Sequence, residues 1–266
     1  MHDASICRRR APLRSGRSHV IVRDTGEAWQ LVLQTDHADL SGAFASAWAD
    51  RGPRHDSVVT AARRHDDGWA VWERSPLVGA GGVPVAFLDV HVPAHLAFYR
   101  AGIAAISDED PYAGLLVSMH GAGIYRQRYG TDLGLSLSRA AEVQPLVDAF
   151  VEEQESSHSA DADAVGVDDE LRWADYHRLQ WLDRFSLAFC LREWDEPGGL
   201  PFDLGQFRFE PLAPWRARVT PYPFLDGPAR FSLLLRRLQK RPWTQAEFRN
   251  AFFGTKPDVI AIELTA

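Results

Sequence analysis

The chain has 266 residues, of which 45% are hydrophobic, 24% charged and 11% aromatic, with a formal charge of -7. These fractions lie near globular averages and exclude collagen-like, coiled-coil and wholly disordered architectures. The longest uncharged apolar runs, 114–119 and 187–191, fall far short of the roughly 20 residues that span a bilayer, and no basic face calls for nucleic acid.

Residues 1–18 carry five arginines but no apolar segment behind them, so they read as a disordered tail rather than a secretory signal. His2 and His19 are set aside with it. A single domain is expected over 19–266. It opens with "HVIVRD" and "AWQLVLQ", two short strands around a turn at Thr25-Gly26-Glu27. From Thr35 the period becomes helical: His37, Leu40, Phe44, Ala47 and Trp48 share one face, with Thr35 or Asp36 as N-cap. A second helix, roughly 56–67, turns Val58, Ala62, His65, Asp66 and Trp69 inward and ends at Gly68.

Residues 73–93 are rich in Gly and Pro and read as an irregular excursion. Two further helices follow, "PAHLAFYRAGIAAI" and "DPYAGLLVSMHGAGIYRQRYG", with Pro111 at a first helical position and Gly121 near an end or kink. The acidic stretch 152–170 reads as a helix end and flexible loop. The next helix, "LRWADYHRLQWLDRFSLAFCLREW", places Asp183 among Leu179, Leu182, Leu187 and Cys190. The segment 201–266 is strand-rich, with one helical stretch near 231–238, and is expected to form a small antiparallel sheet with the N-terminal hairpin. The fold class expected is mainly α (α+β).

Ten histidines against two methionines need an explanation. A charged or imidazole group on an apolar helix face costs several kcal/mol unless it is paired or coordinates a metal. His37, the His65-Asp66 pair, His120 and Asp183 each occupy such a position. Imidazole and carboxylate suit divalent Zn, Mn, Fe, Ni or Co. The two cysteines, Cys7 and Cys190, supply no thiolate cluster and make a reducing cytoplasm the default. The nine tryptophans are scattered at core-like positions and read as packing.

"QTDHADL" at 34–40, "RRHDDGW" at 63–69 and "QWLDRFSL" at 180–187 resemble, in their order, the HD superfamily of metal-dependent phosphohydrolases. That resemblance implies an HD-like helical core, with His37, His65, Asp66 and Asp183 as ligands and His120 serving a second metal or the substrate. Asp175 or His177, on the helix of Asp183, are the alternatives for the last ligand. "HDDGW", "PYAGLLVSMHG" and "LDRFSLAFC" together also resemble an uncharacterised bacterial domain-of-unknown-function family, which implies no established reaction.

Under the metal reading, a divalent cation lowers the pKa of bound water from about 15.7 towards 7. Asp67 is then a candidate proton acceptor and Arg64 a candidate partner of the reacting anion. Arg126, Tyr125 and His95 are candidates for contacting a small-molecule anionic substrate. The expected function is metal-dependent hydrolysis of a small-molecule or nucleotide phosphate ester. The competing readings are a non-catalytic metal- or ligand-binding protein and a metal-dependent oxygenase. Oligomeric state leaves no sequence signature.

Overall fold

The computed structural model describes residues 20–131 and 141–266. The expected tail at 1–18, with His2 and Cys7, and also His19, lie outside the described residues. Strands β1 (Val20–Asp24) and β2 (Ala28–Leu33) form the expected hairpin. Helix α1 (Gln34–Ala47) follows β2 with no intervening residue. Its N-terminus is not capped by Thr35 or Asp36. Instead the buried carboxylate of Glu73, on the short helix α3 (Ala70–Glu73), accepts from the backbone N–H groups of Gln34 and Thr35 and from the Thr35 hydroxyl. A tertiary contact thus satisfies donors that the first turn leaves orphaned.

Helix α2 (His55–Arg64) stops before His65, so the His-Asp pair sits at a helix exit rather than within a helix. Helices α4 (Val92–Glu109) and α5 (Pro111–Tyr125) meet at Asp110, whose side chain accepts from the N–H groups of Tyr112 and Ala113 behind Pro111. The acidic stretch is not a loop. It is mostly helix α6 (Gln144–Ala164), which buries Val147, Phe150, Val151, Gln154, His158 and Ala162 at helical spacing and leaves Glu152 and Glu153 in solvent. Helix α7 (Asp169–Leu191) follows, capped by Asp168.

The C-terminal part supplies β3 (Phe202–Leu204), β4 (Phe207–Ala213), β5 (Arg216–Thr220), β6 (Ala229–Gln239), α8 (Gln245–Gly254) and β7 (Asp258–Thr265). The helix expected near 231–238 is β6. Leu233, Leu234, Leu235 and Leu238 fit a helical period on paper, but Phe231, Leu233 and Leu235 are buried while Leu234 is 37% exposed, which is the two-residue alternation of a strand.

The expected HD-like helical core carrying a small antiparallel sheet is overturned by this sheet. Among the described residues the seven strands join in the order β1-β2-β6-β7-β5-β4-β3, and β5 pairs with β7 in parallel, so the sheet is large and mixed. Its inner face shares one core with the helices: the Phe44 ring of α1 lies 4.5 Å from Phe231 of β6, and Phe185 of α7 lies 4.9 Å from Phe207 of β4. Among the described residues no helix is long and apolar enough to cross a membrane.

Candidate metal centre

The direct β2–α1 junction places His37 in the first turn of α1, facing α7. Its Nδ1 lies 2.7 Å from the Ser186 hydroxyl and its Nε2 2.9 Å from Asp66 Oδ2. Ser41, one turn on, donates to Ser186 and so supports the same contact. At the end of α2, His65 Nδ1 lies 2.9 Å from the carbonyl of Ala62. A carbonyl only accepts, so this nitrogen carries a proton in either charge state of the ring, and Nε2 is the nitrogen that points away from the helix.

Asp66 then leaves the helical conformation and receives the Tyr99 hydroxyl at 2.8 Å. The chain crosses α4 so closely that a Cβ on Gly68 would stand 2.1 Å from the Phe98 carbonyl oxygen. Close backbone approach explains this glycine, and the positive φ of a helix cap plays no part.

Asp183, on the buried face of α7, completes the set. Its Oδ2 accepts from Arg128 Nη1 at 2.6 Å, and its Oδ1 lies 3.6 Å from His65 Nε2. The same His65 nitrogen is 3.6 Å from Asp66 Oδ2 and, among the described residues, has no hydrogen-bond partner. That distance is too long for a hydrogen bond. It leaves an unbonded imidazole nitrogen facing two carboxylate oxygens, a donor set that would suit a divalent cation. Donor atoms of His37, His65 and Asp183, and likewise of His65, Asp66 and His120, lie within 4.8 Å of one another. Of these, His37, His65, Asp66 and Asp183 present the imidazole and carboxylate donors that fit a divalent cation.

The electrostatics agree. Burial alone would lower the His65 pKa, but the Asp66 and Asp183 carboxylates outweigh it and hold the ring near 9. Burial would raise both acids. His65 and His37 hold Asp66 well below the usual carboxylate range, and Arg128 does the same for Asp183. Two buried carboxylates thus face one buried guanidinium, and the remaining positive charge is a proton on His65. Burial, then the His65 charge, push His120 down to about 3. A cavity of about 50 Å³, room for a few waters, is lined by His37, Asp66, His95, Tyr99, His120, Arg128 and Asp183, with Trp69, Leu88, Ile124 and Leu187 as its apolar wall.

Arg128 reaches the site from a backbone that few residues adopt. Gln127, Arg128 and Tyr129 have φ of 53°, 49° and 50°, each costing about 1–2 kcal/mol in a residue with a Cβ. Such conformations persist where surrounding contacts over-determine them. Here Arg128 is held by Asp183 and Gln180, and the Tyr129 hydroxyl donates to Glu155.

Other expected site residues lie elsewhere. Asp67 and Arg64 pair with each other at 2.6 Å, half-buried, with Arg64 also on Glu109, and neither lines the cavity. Arg126 is an exposed partner of Glu155. Tyr125 does not reach the cavity but bonds His95 Nδ1 at 2.6 Å, and His95 does line it. Asp175 accepts from Tyr112 and Arg178, while His177 is exposed, so Asp183 is the acid on α7 that meets the His-Asp pair. Tyr99 and Gln180 were not singled out from the sequence. The signals for them were spacing alone: Tyr99 one turn after His95, Gln180 one turn before Asp183.

The family model "Protein of unknown function (DUF3891)" matches residues 20–240, from β1 through β6, and so covers every residue of the centre. The chain belongs to that family. No curated protein and no solved structure matches it.

Proposed function

We propose that this member of the DUF3891 family is a metal-dependent hydrolase in which His37, His65, Asp66 and Asp183 hold a divalent cation, with a small-molecule or nucleotide phosphate ester as substrate. The observation that carries the reading is His65 Nε2: buried, unbonded, and equidistant at 3.6 Å from two carboxylate oxygens. The order His, His-Asp, Asp is also the one in which the chain resembles the HD superfamily; the likeness concerns the ligands and not the architecture.

A divalent cation there supplies a water of lowered pKa and polarises a phosphoryl oxygen. The chain's own residues do the rest. Ala62 fixes the His65 tautomer, Ser186 and Ser41 orient His37, and Tyr99 holds one oxygen of Asp66 so that the other faces His37 and His65. Arg128 keeps Asp183 ionised. With a dication in place of the His65 proton, the buried set of two carboxylates and one guanidinium would carry a net single positive charge, which would favour an anionic occupant of the cavity.

The test is metal analysis of purified protein, followed by a phosphatase and phosphodiesterase panel with added Mn or Ni. The expected result is one bound metal per chain, lost in His65→Ala, with turnover of at least one phosphate ester. Absence of stoichiometric metal together with unchanged stability in His65→Ala would sink the reading. Bound metal without hydrolysis moves the protein to the binding class, and bound iron with oxygen-dependent turnover to the oxygenases.

A further inference from the structure

His120 stands close enough to His65 and Asp66 to be counted with the metal ligands, yet its hydrogen bonds give it a different role. Arg128 is a donor with no acceptor atom. Its Nη1 lies 2.6 Å from Oε1 of Gln180, which fixes the oxygen of that amide on the Arg128 side. The amide nitrogen of Gln180 therefore faces His120, and it lies 3.1 Å from Nδ1. An amide nitrogen only donates, so His120 Nδ1 is an acceptor with a lone pair. The neutral ring must then carry its proton on Nε2.

His65 shows the reverse arrangement. Its Nδ1 faces a carbonyl and keeps the proton, which leaves the Nε2 lone pair for a cation. As neutral rings, two histidines whose centroids are 5.0 Å apart are thus set in opposite tautomers by their neighbours. A nitrogen bearing a proton has no lone pair to coordinate a metal. The His120 ring lines the cavity beside Tyr99, at 6.0 Å between centroids.

We propose that His120 is not a metal ligand but the fixed N–H donor of the cavity, and that it hydrogen-bonds through Nε2 to an oxygen of the anionic substrate. Gln180 is its positioning residue, oriented by Arg128. The role as substrate donor rests on the hydrolase reading, whereas the tautomer does not and is measurable on metal-free protein.

Long-range proton–nitrogen spectra of histidine-labelled, metal-free protein read the tautomer directly. The expected pattern is Nε2–H for His120, and Nδ1–H there overturns the proposal whatever the metal does. Gln180→Glu presents an acceptor in place of the donor and should move the His120 proton to Nδ1; an unchanged His120 pattern also overturns it.

Mn²⁺ titration gives the second reading. His120→Ala should bind Mn²⁺ within about threefold of the unmodified chain while His65→Ala loses it, and an equal loss in both makes His120 a ligand. With Mn²⁺ bound, His120→Ala should weaken inorganic phosphate at least tenfold, and His120→Gln, which keeps an N–H at the same reach, should recover part of that loss. Equal phosphate affinity in all three proteins refutes the donor role. Should the unmodified chain bind no Mn²⁺, the hydrolase reading fails on its own and the same phosphate comparison is made on metal-free protein.

Discussion

Replacing Asp183 with Asn separates charge from shape at the centre of this site. The acid is 2% exposed and Arg128 7% exposed, and they meet at 2.6 Å. The amide can still offer Arg128 an oxygen, so the variant removes the negative charge and little else. Removing one partner of a buried ion pair costs about 3–5 kcal/mol, because the other charge stays buried without compensation. Part of that loss is recoverable. The left-handed run 127–129 holds about 1–2 kcal/mol of conformational cost per residue, and its release on swinging Arg128 outward offsets some of the penalty. The net expectation for metal-free Asp183→Asn is a loss of about 3 kcal/mol, or roughly 6–12 °C in melting temperature for a chain of this size. Urea unfolding with chelator present, followed by the fluorescence of the nine tryptophans, reads it directly. Adding Arg128→Met should restore most of the loss, since neither charge is then left alone. A single variant within about 0.5 kcal/mol of the unmodified chain, or a double variant no better than the single, would refute the buried-pair argument.

Two buried groups away from the centre make the stability depend on pH in opposite senses. Burial, followed by the Arg172 charge, pulls His158 down to about 4 from 6.5, so its contribution is intact above pH 6.5 and is lost as pH falls towards 4. About 3 kcal/mol is at stake, and His158→Gln should flatten that acid limb in urea titrations. Burial lifts Glu73 to about 7 from 4.5 against the Thr35 and Gln34 hydrogen bonds that lower it. Its contribution is therefore full below pH 4.5 and lost as pH rises through 7, again by about 3 kcal/mol. Glu73→Gln should show a shallower decline between pH 5 and 8, and an unaltered slope would contradict this account. Gly68→Ala forces a Cβ against the Phe98 carbonyl and should destabilise by about 3 kcal/mol. Gly130→Ala, with nothing within 4 Å but a φ of 84°, should cost only about 1 kcal/mol.

The centre was legible where a polar group broke an apolar pattern. His37, the His65-Asp66 pair and Asp183 stand where leucine would have been unremarkable, and all four are buried together. What orients them was not legible. Ser186, Tyr99 and Gln180 are polar groups common on any helix, and their partners are 149, 33 and 60 residues away. Asp67 misled for a local reason: next to Asp66 it looks equivalent, but the chain turns between them and Arg64 takes its carboxylate. At the level of the fold, β6 was misread because three adjacent leucines satisfy either period, and only pairing with β2 and β7 decides between them. The acidic stretch was misread because the stripe that makes it a helix begins at Val147, outside the acidic window.

One junction sets the rotational phase of the whole arrangement. β2 ends at Leu33 and α1 begins at Gln34, so the sheet passes into the helix with no slack. A single residue inserted there would turn every later position of α1 by about 100° relative to the sheet, since a helix completes a turn in 3.6 residues. His37 would then sweep away from Asp66, and Phe44 away from Phe231, in one motion. Between α7 and β3, by contrast, the exposed residues 196–201 carry none of the cation's proposed ligands, and added length there would leave the helical phase untouched. The chain can thus absorb changes of length on one side of its centre, while on the other the count of residues from strand to histidine is itself part of the site.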